Sequence, residues 1–213
     1  MRGKTVPEAV CRVAFFLKSR YLKVPIKDIN KTALAHSFAS FTTIRDTIEN
    51  CGFNKQPPIL FYHINFGYPI VDKDTVLIQS KTIVTPRDDE AWKGIDNYNV
   101  FDDPVHDYKE QVFYHNMRSD KKGKVFACLF NKNLGTDGLG PYVKFDKSQI
   151  KNMIEWKQTG EGEYVVGLES GTWYLEGRKK ARESGQLDFI EPGEIKQFEI
   201  EVGVTDSIDK IGL

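Results

Sequence analysis

Cysteine is scarce in this chain. Cys11, Cys51 and Cys128 form an odd, widely spaced set without a C-x-x-C pair. That excludes a disulfide framework and a cysteine zinc site, and reads as the reduced thiols of a cytoplasmic protein. Net charge is lacking as well, since 30 Lys and Arg balance 30 Asp and Glu. With no broad basic field, neither nucleic acid nor an anionic membrane surface is an expected partner. No apolar run reaches the roughly 18 residues of a membrane span. Ala9–Leu17 follows a basic start, but Arg12 interrupts it and no small-residue cleavage site follows, so a signal peptide is not expected. No grouping of His, Cys and carboxylates has metal-ligand spacing, and neither metal nor cofactor is expected. The three glycines of Asn131–Pro141 miss the spacing of a phosphate-binding loop and read as a hairpin turn. Internal repeats and low-complexity tracts are also missing.

What the chain does have is apolar bulk, with 14 Phe, 9 Tyr and 3 Trp, enough for a packed core. Its texture changes near residue 40. In residues 1–40, Val10, Val13, Ala14 and Leu17 recur at helical spacing behind Pro7, and Pro25 then breaks the pattern, so this part reads as irregular or helical. From Phe41 onward short apolar runs alternate with turn residues, as in Val76–Val84, Lys124–Phe130, Tyr164–Leu168 and Lys196–Val204. Ser148–Trp156 and Gly177–Ser184 fit short helices. The expected fold is all-β, an antiparallel sandwich over residues 41–213 with a few short helices.

Chemistry concentrates in Pro58-Ile-Leu-Phe-Tyr-His63-Ile-Asn65-Phe-Gly-Tyr-Pro69. An apolar strand delivers a histidine, then an asparagine, to a Gly and a Pro that stop it. An imidazole, with its ordinary pKa of about 6.5, gives or takes a proton near neutrality. Read locally, His63 fits better a ring simply hydrogen-bonded at a strand end. Val165-Val166-Gly167-Leu168-Glu169 likewise ends an apolar strand on a carboxylate, which by itself reads as a surface group. Elsewhere, His115 on a probable strand fits a hydroxyl contact or a structural role, and Trp156 a flat apolar platform or a core residue. Lys157 and Arg178 fit anion contacts or solvated surface charges.

His63-x-Asn-Phe-Gly resembles the galactose mutarotase (aldose 1-epimerase) superfamily, in a subgroup of unassigned function. Thr43–Phe53, Lys109–His115, Trp156–Gln158, Tyr164–Glu169, Gly177-Arg178 and Glu191–Glu194 extend the resemblance in order over roughly residues 41 to 204, the last as a tight turn into the final strand. The resemblance implies a β-sandwich with a sugar cleft and anomer interconversion by ring opening. His63 would be the acid and Glu169 the base, facing each other across a pyranose-sized space. It implies Asn65, His115, Trp156, Lys157 and Arg178 as substrate contacts and a small sugar or sugar derivative as partner, with no metal or cofactor. Two other readings stand beside it: a non-catalytic carbohydrate-binding protein, and an inactive relic. Family members carry earlier strands that nothing in residues 1–40 resembles. The sandwich is therefore expected to be incomplete at its N-terminal side, with bare strand edges open to self-association.

Overall fold

The computed structural model describes residues 32–35, 41–174, 178–183, 185 and 187–211. Eleven strands run in chain order: β1 (Thr32–Ala35), β2 (Phe41–Glu49), β3 (Phe61–Gly67), β4 (Thr75–Gln79), β5 (Thr82–Pro86), β6 (Gln111–Met117), β7 (Lys124–Asn131), β8 (Gly140–Asp146), β9 (Asn152–Gly160), β10 (Glu163–Gly171) and β11 (Ile195–Thr205). Two short α-helices, α1 (Asp89–Trp92) and α2 (Arg178–Glu183), follow β5 and β10. The strands form a six-stranded sheet, β1-β2-β11-β8-β7-β4, and a five-stranded sheet, β3-β10-β9-β6-β5. Each pairing between named strands is antiparallel. This is the expected sandwich. β1 lies inside residues 1–40 and pairs with β2, Ala33 opposite Ile44; the helical reading of Pro7–Leu17 falls outside the described residues.

Period-two alternation decides which side of each strand is buried. In β3, Tyr62, Ile64 and Phe66 point into the core while Phe61, His63, Asn65 and Gly67 remain partly exposed. Val166 and Leu168 of β10 and Met153 of β9 join the same cluster, which meets Ile44, Val125, Ala127, Val143, Phe145 and Ile200 from the other sheet. A polar contact crosses this interior. The Tyr62 hydroxyl donates to Asp46 Oδ2 at 2.7 Å, and burial pushes the phenol pKa up.

The expected helix over Gly177–Ser184 is present as α2, whereas Ser148–Trp156 is corrected. Ile150 closes a turn on Asp146, and the chain then runs as β9, hydrogen-bonded to β10 on one side and β6 on the other. The i, i+4 spacing of Ile150 and Ile154 imitates a helix. From Met153 onward the residues alternate between the two sheet faces, and two complete ladders outweigh that local spacing. Glu191–Glu194 is the expected tight turn. Glu194 N–H donates to Glu191 C=O at 3.0 Å, and Gly193 takes the positive φ of 77° that its third position requires.

On the inner face of β6 and β9 the segment 89–101 packs Tyr98 against Phe113 and His115 and offers its backbone carbonyls to a buried cation. Lys157 is buried, and its Nζ donates to the carbonyls of Asn97, Tyr98 and Val100 at 2.9, 3.4 and 2.7 Å. The ammonium also sits 4.6 Å from the Phe101 ring centroid. Desolvation lowers its pKa, yet the carbonyls compensate the charge. Lys157→Met keeps the stem and takes the ammonium donor away from those carbonyls, of which Asn97 C=O still accepts from Val100 N–H. Chemical denaturation should show a loss of about 1–3 kcal/mol; unchanged stability would mean the carbonyls find other donors.

Candidate functional site

The outer face of the five-stranded sheet holds the convergence of functional groups. His63 on β3 lies directly opposite Glu169 on β10, and Asn65 directly opposite Gly167. The two sequence patterns, His63-x-Asn65 and Gly167-x-Glu169, are thus one constellation: residues two apart share a face, and antiparallel pairing brings the faces together. His63 Nδ1 is 2.9 Å from Glu169 Oε1, and Nε2 donates to Asn65 Oδ1 at 2.8 Å. Glu169 is 5% exposed at its side chain and His63 28%. The expectation of an acid and a base facing each other across a sugar-wide gap is therefore corrected. The two are in direct contact.

Both ring nitrogens face acceptor oxygens, an arrangement that favours the imidazolium form. The hydrogen bond to Glu169 is the largest influence raising the His63 pKa; burial opposes it, and the charge of Glu169 and the bond to Asn65 add to the rise.

An open pocket of about 240 Å³ lies over this pair, lined by His63, Arg87, Glu110, Val112, Tyr114, Ile154, Trp156 and Glu169. Its volume is below the roughly 300–1,000 Å³ of drug-sized clefts, which suits a single small ring. The Trp156 indole lies 5.9 Å from the imidazole, centroid to centroid, and the Phe61 ring 6.2 Å from it. Trp156 Nε1 donates to Glu110 Oε2 at 2.7 Å; Arg87 Nη2 donates to Glu110 Oε1 at 3.0 Å and Arg87 Nε to Asp88 Oδ2 at 2.7 Å. The indole N–H first, then the guanidinium, hold the Glu110 carboxyl below the usual range.

Of the residues proposed from sequence, His63, Asn65, Glu169 and Trp156 come together here. His115 and Lys157 do not. Each sits one residue from a pocket residue, Tyr114 and Trp156, and so points to the opposite face. His115 is enclosed in the interior, its Nε2 3.3 Å from Glu155 Oε2 with neither side chain exposed. The Lys157 ammonium is spent on backbone carbonyls. Neither reaches the pocket. Arg178 begins α2, and its side chain is outside the described residues. Arg87, Glu110 and Tyr114 were missed. Strand parity was the available signal for two of them: Glu110, Val112 and Tyr114 share one face, Gln111, Phe113 and His115 the other. Among the described residues no group of His, Cys, Asp and Glu has the arrangement of a metal site, and no helix is long and apolar enough to cross a membrane.

Residues 21–204 match the family model described as a domain of unknown function, DUF4432. The chain belongs to the DUF4432 family. The match begins within residues 1–40. No curated protein matches this DUF4432 chain. Among solved structures, a candidate aldose 1-epimerase from Klebsiella pneumoniae is similar with a TM-score of 0.73 and 25% identity, over 78% of this chain and 43% of that one. The galactose mutarotase related enzyme from Lactobacillus acidophilus gives 0.58 and 12%, over 82% and 60%. A galactose mutarotase-like protein from Clostridium acetobutylicum gives 0.51 and 14%, over 79% and 53%. The fold of this DUF4432 chain is thus mutarotase-like, and the chain spans less than two thirds of each of these neighbours.

Folding gives His63 two acceptors that the unfolded chain lacks. Its raised pKa means that the folded chain binds the proton more tightly, so the pair's contribution to stability is full below the ordinary 6.5 and is lost as pH rises through the raised value. The melting temperature of the wild type should exceed that of His63→Gln by a margin that shrinks from about pH 6 to about pH 9. A margin independent of pH would refute the charged pair.

Proposed function

We propose that this DUF4432 chain binds a sugar or sugar derivative and interconverts its anomers by general acid–base ring opening. The observation that supports this best is the His63 imidazole held between Glu169 and Asn65 at the floor of a small pocket walled by Trp156. The likeness to mutarotase-related structures supports the same reading.

Opening a pyranose moves two protons. The anomeric hydroxyl gives one to the Glu169 carboxylate as the C1–O1 bond becomes a carbonyl. The bond from C1 to the ring oxygen breaks, and that oxygen takes the Nε2 proton of His63. Rotation about C1–C2 turns the aldehyde, and closure on the other face returns both protons, with neutral His63 as the base and protonated Glu169 as the acid. The indole of Trp156 offers an apolar face to the C–H side of the ring. Arg87 and Glu110, already paired, offer directional partners to hydroxyls at the far end. A second reading also has support: both N–H groups of His63 are engaged within the protein, which suits a pocket that binds a sugar without turning it over.

Polarimetry on a freshly dissolved single anomer distinguishes the two. Acceleration by the wild type, with His63→Asn and Glu169→Gln each losing about 10²–10⁴-fold while retaining binding, supports catalysis. Binding without acceleration supports the second reading, and absence of sugar binding rejects both. Rate against pH should fall on both sides of neutrality, with the alkaline limb above the ordinary 6.5 of histidine because His63 keeps its proton longer.

A further inference from the structure

We propose that Asn65 and Gly167 are positioning residues that set the proton affinity of His63: Asn65 holds the Nε2 proton until a ligand oxygen replaces it, and Gly167 leaves the space in which both acceptors close on one ring. The inference deepens the acid–base reading above and rests on it for the proton's destination.

The geometry points to Asn65 first. With Glu169 on Nδ1 at 2.9 Å and Asn65 on Nε2 at 2.8 Å, the ring has no third N–H to offer. A sugar oxygen can receive a proton from Nε2 only by taking the place of the Asn65 amide oxygen. A neutral acceptor suits that exchange. It stabilises the imidazolium enough to keep it charged, yet yields more readily than a carboxylate would.

Gly167 supplies the room. A Cβ at this position would stand 3.0 Å from Glu169 Oε1, 3.2 Å from Asn65 Oδ1 and 3.4 Å from Glu169 Cγ. These are the ends of side chains rather than backbone, so the fold can absorb an added methyl by small shifts. The atoms that must shift are the two acceptors that hold His63. A minimal change at residue 167 therefore disturbs the clamp more than the core.

Other groups facing the ring are few. From β10 comes Glu169; from the β6 side, Glu110 and Tyr114; from the end of β5, Arg87, bound to Asp88 and Glu110. β9 presents Trp156 and Ile154, which have no charge. Among the described residues, Asn65 and Glu169 alone touch the ring nitrogens.

The test is an NMR titration of His63 in the full chain without sugar, its signal assigned by loss in His63→Gln, with polarimetry run in parallel. Asn65→Leu and Gly167→Ala should each lower the midpoint by about 0.5 to 1 pH unit. Asn65→Asp should raise it, and should slow turnover because the proton is held too tightly. A merely structural role would not move the midpoint in opposite directions at one position. If Gly167→Ala fails to fold, the two Asn65 variants decide. A midpoint in Asn65→Leu equal to that of the wild type overturns the proposal, even where sugar is turned over. The expected shifts in a chain without sugar activity would support the clamp and reject the function proposed for it.

Discussion

The register of β10 against β3 underlies the arrangement of the site. Because Glu169 stands opposite His63 and Gly167 opposite Asn65, a carboxylate, an amide and an unobstructed gap surround one imidazole. That register is enforced from the other side of the same strands. Tyr62, Ile64 and Phe66 alternate with the site residues along β3 and are buried, as are Val166 and Leu168 along β10. Slipping β3 by one residue would bring three large apolar side chains into water, at about 1.5–3 kcal/mol each, and bury the imidazolium. Polar precision on the outer face is therefore held by hydrophobic burial on the inner one.

The same economy of faces accounts for what could be read in advance. Alternating short runs gave the β texture after Phe41, although the start of β9 read as a helix, and the family resemblance, not the local pattern, singled out His63 and Glu169. Parity was legible too, but chemistry drew attention away from it. His115 and Lys157 attract notice as residue types, whereas their neighbours Tyr114 and Trp156 occupy the site. Arg87 was hidden for a different reason. Pro86-Arg87-Asp88-Asp89 reads as a charged turn, and only the pairing of β5 with β6 turns the guanidinium toward Glu110. Contact between His63 and Glu169 rests on long-range pairing that no local pattern contains.

Charge is distributed with similar parsimony. Lys157, a cation next in sequence to a pocket residue, is spent inside the sandwich on the carbonyls of the segment that covers β6 and β9. Arg87 is divided between two carboxylates. The described cations around the pocket are thus balanced locally. Recognition there would depend on hydrogen-bond geometry and an aromatic wall more than on attraction over distance.

Among the described residues β3 occupies an edge of its sheet, with β10 as its neighbour there. Central strands such as β9 are laced on both sides, so they release their amide hydrogens only in larger openings. β3 needs to break a single ladder to lift away. When it lifts, the carboxylate and the imidazole part, and the ring returns to the proton affinity of a solvated histidine. The ionisation of one side chain is thereby tied to the docking of a whole strand, and amide exchange along residues 61–67 and the charge on His63 become two measures of one local equilibrium.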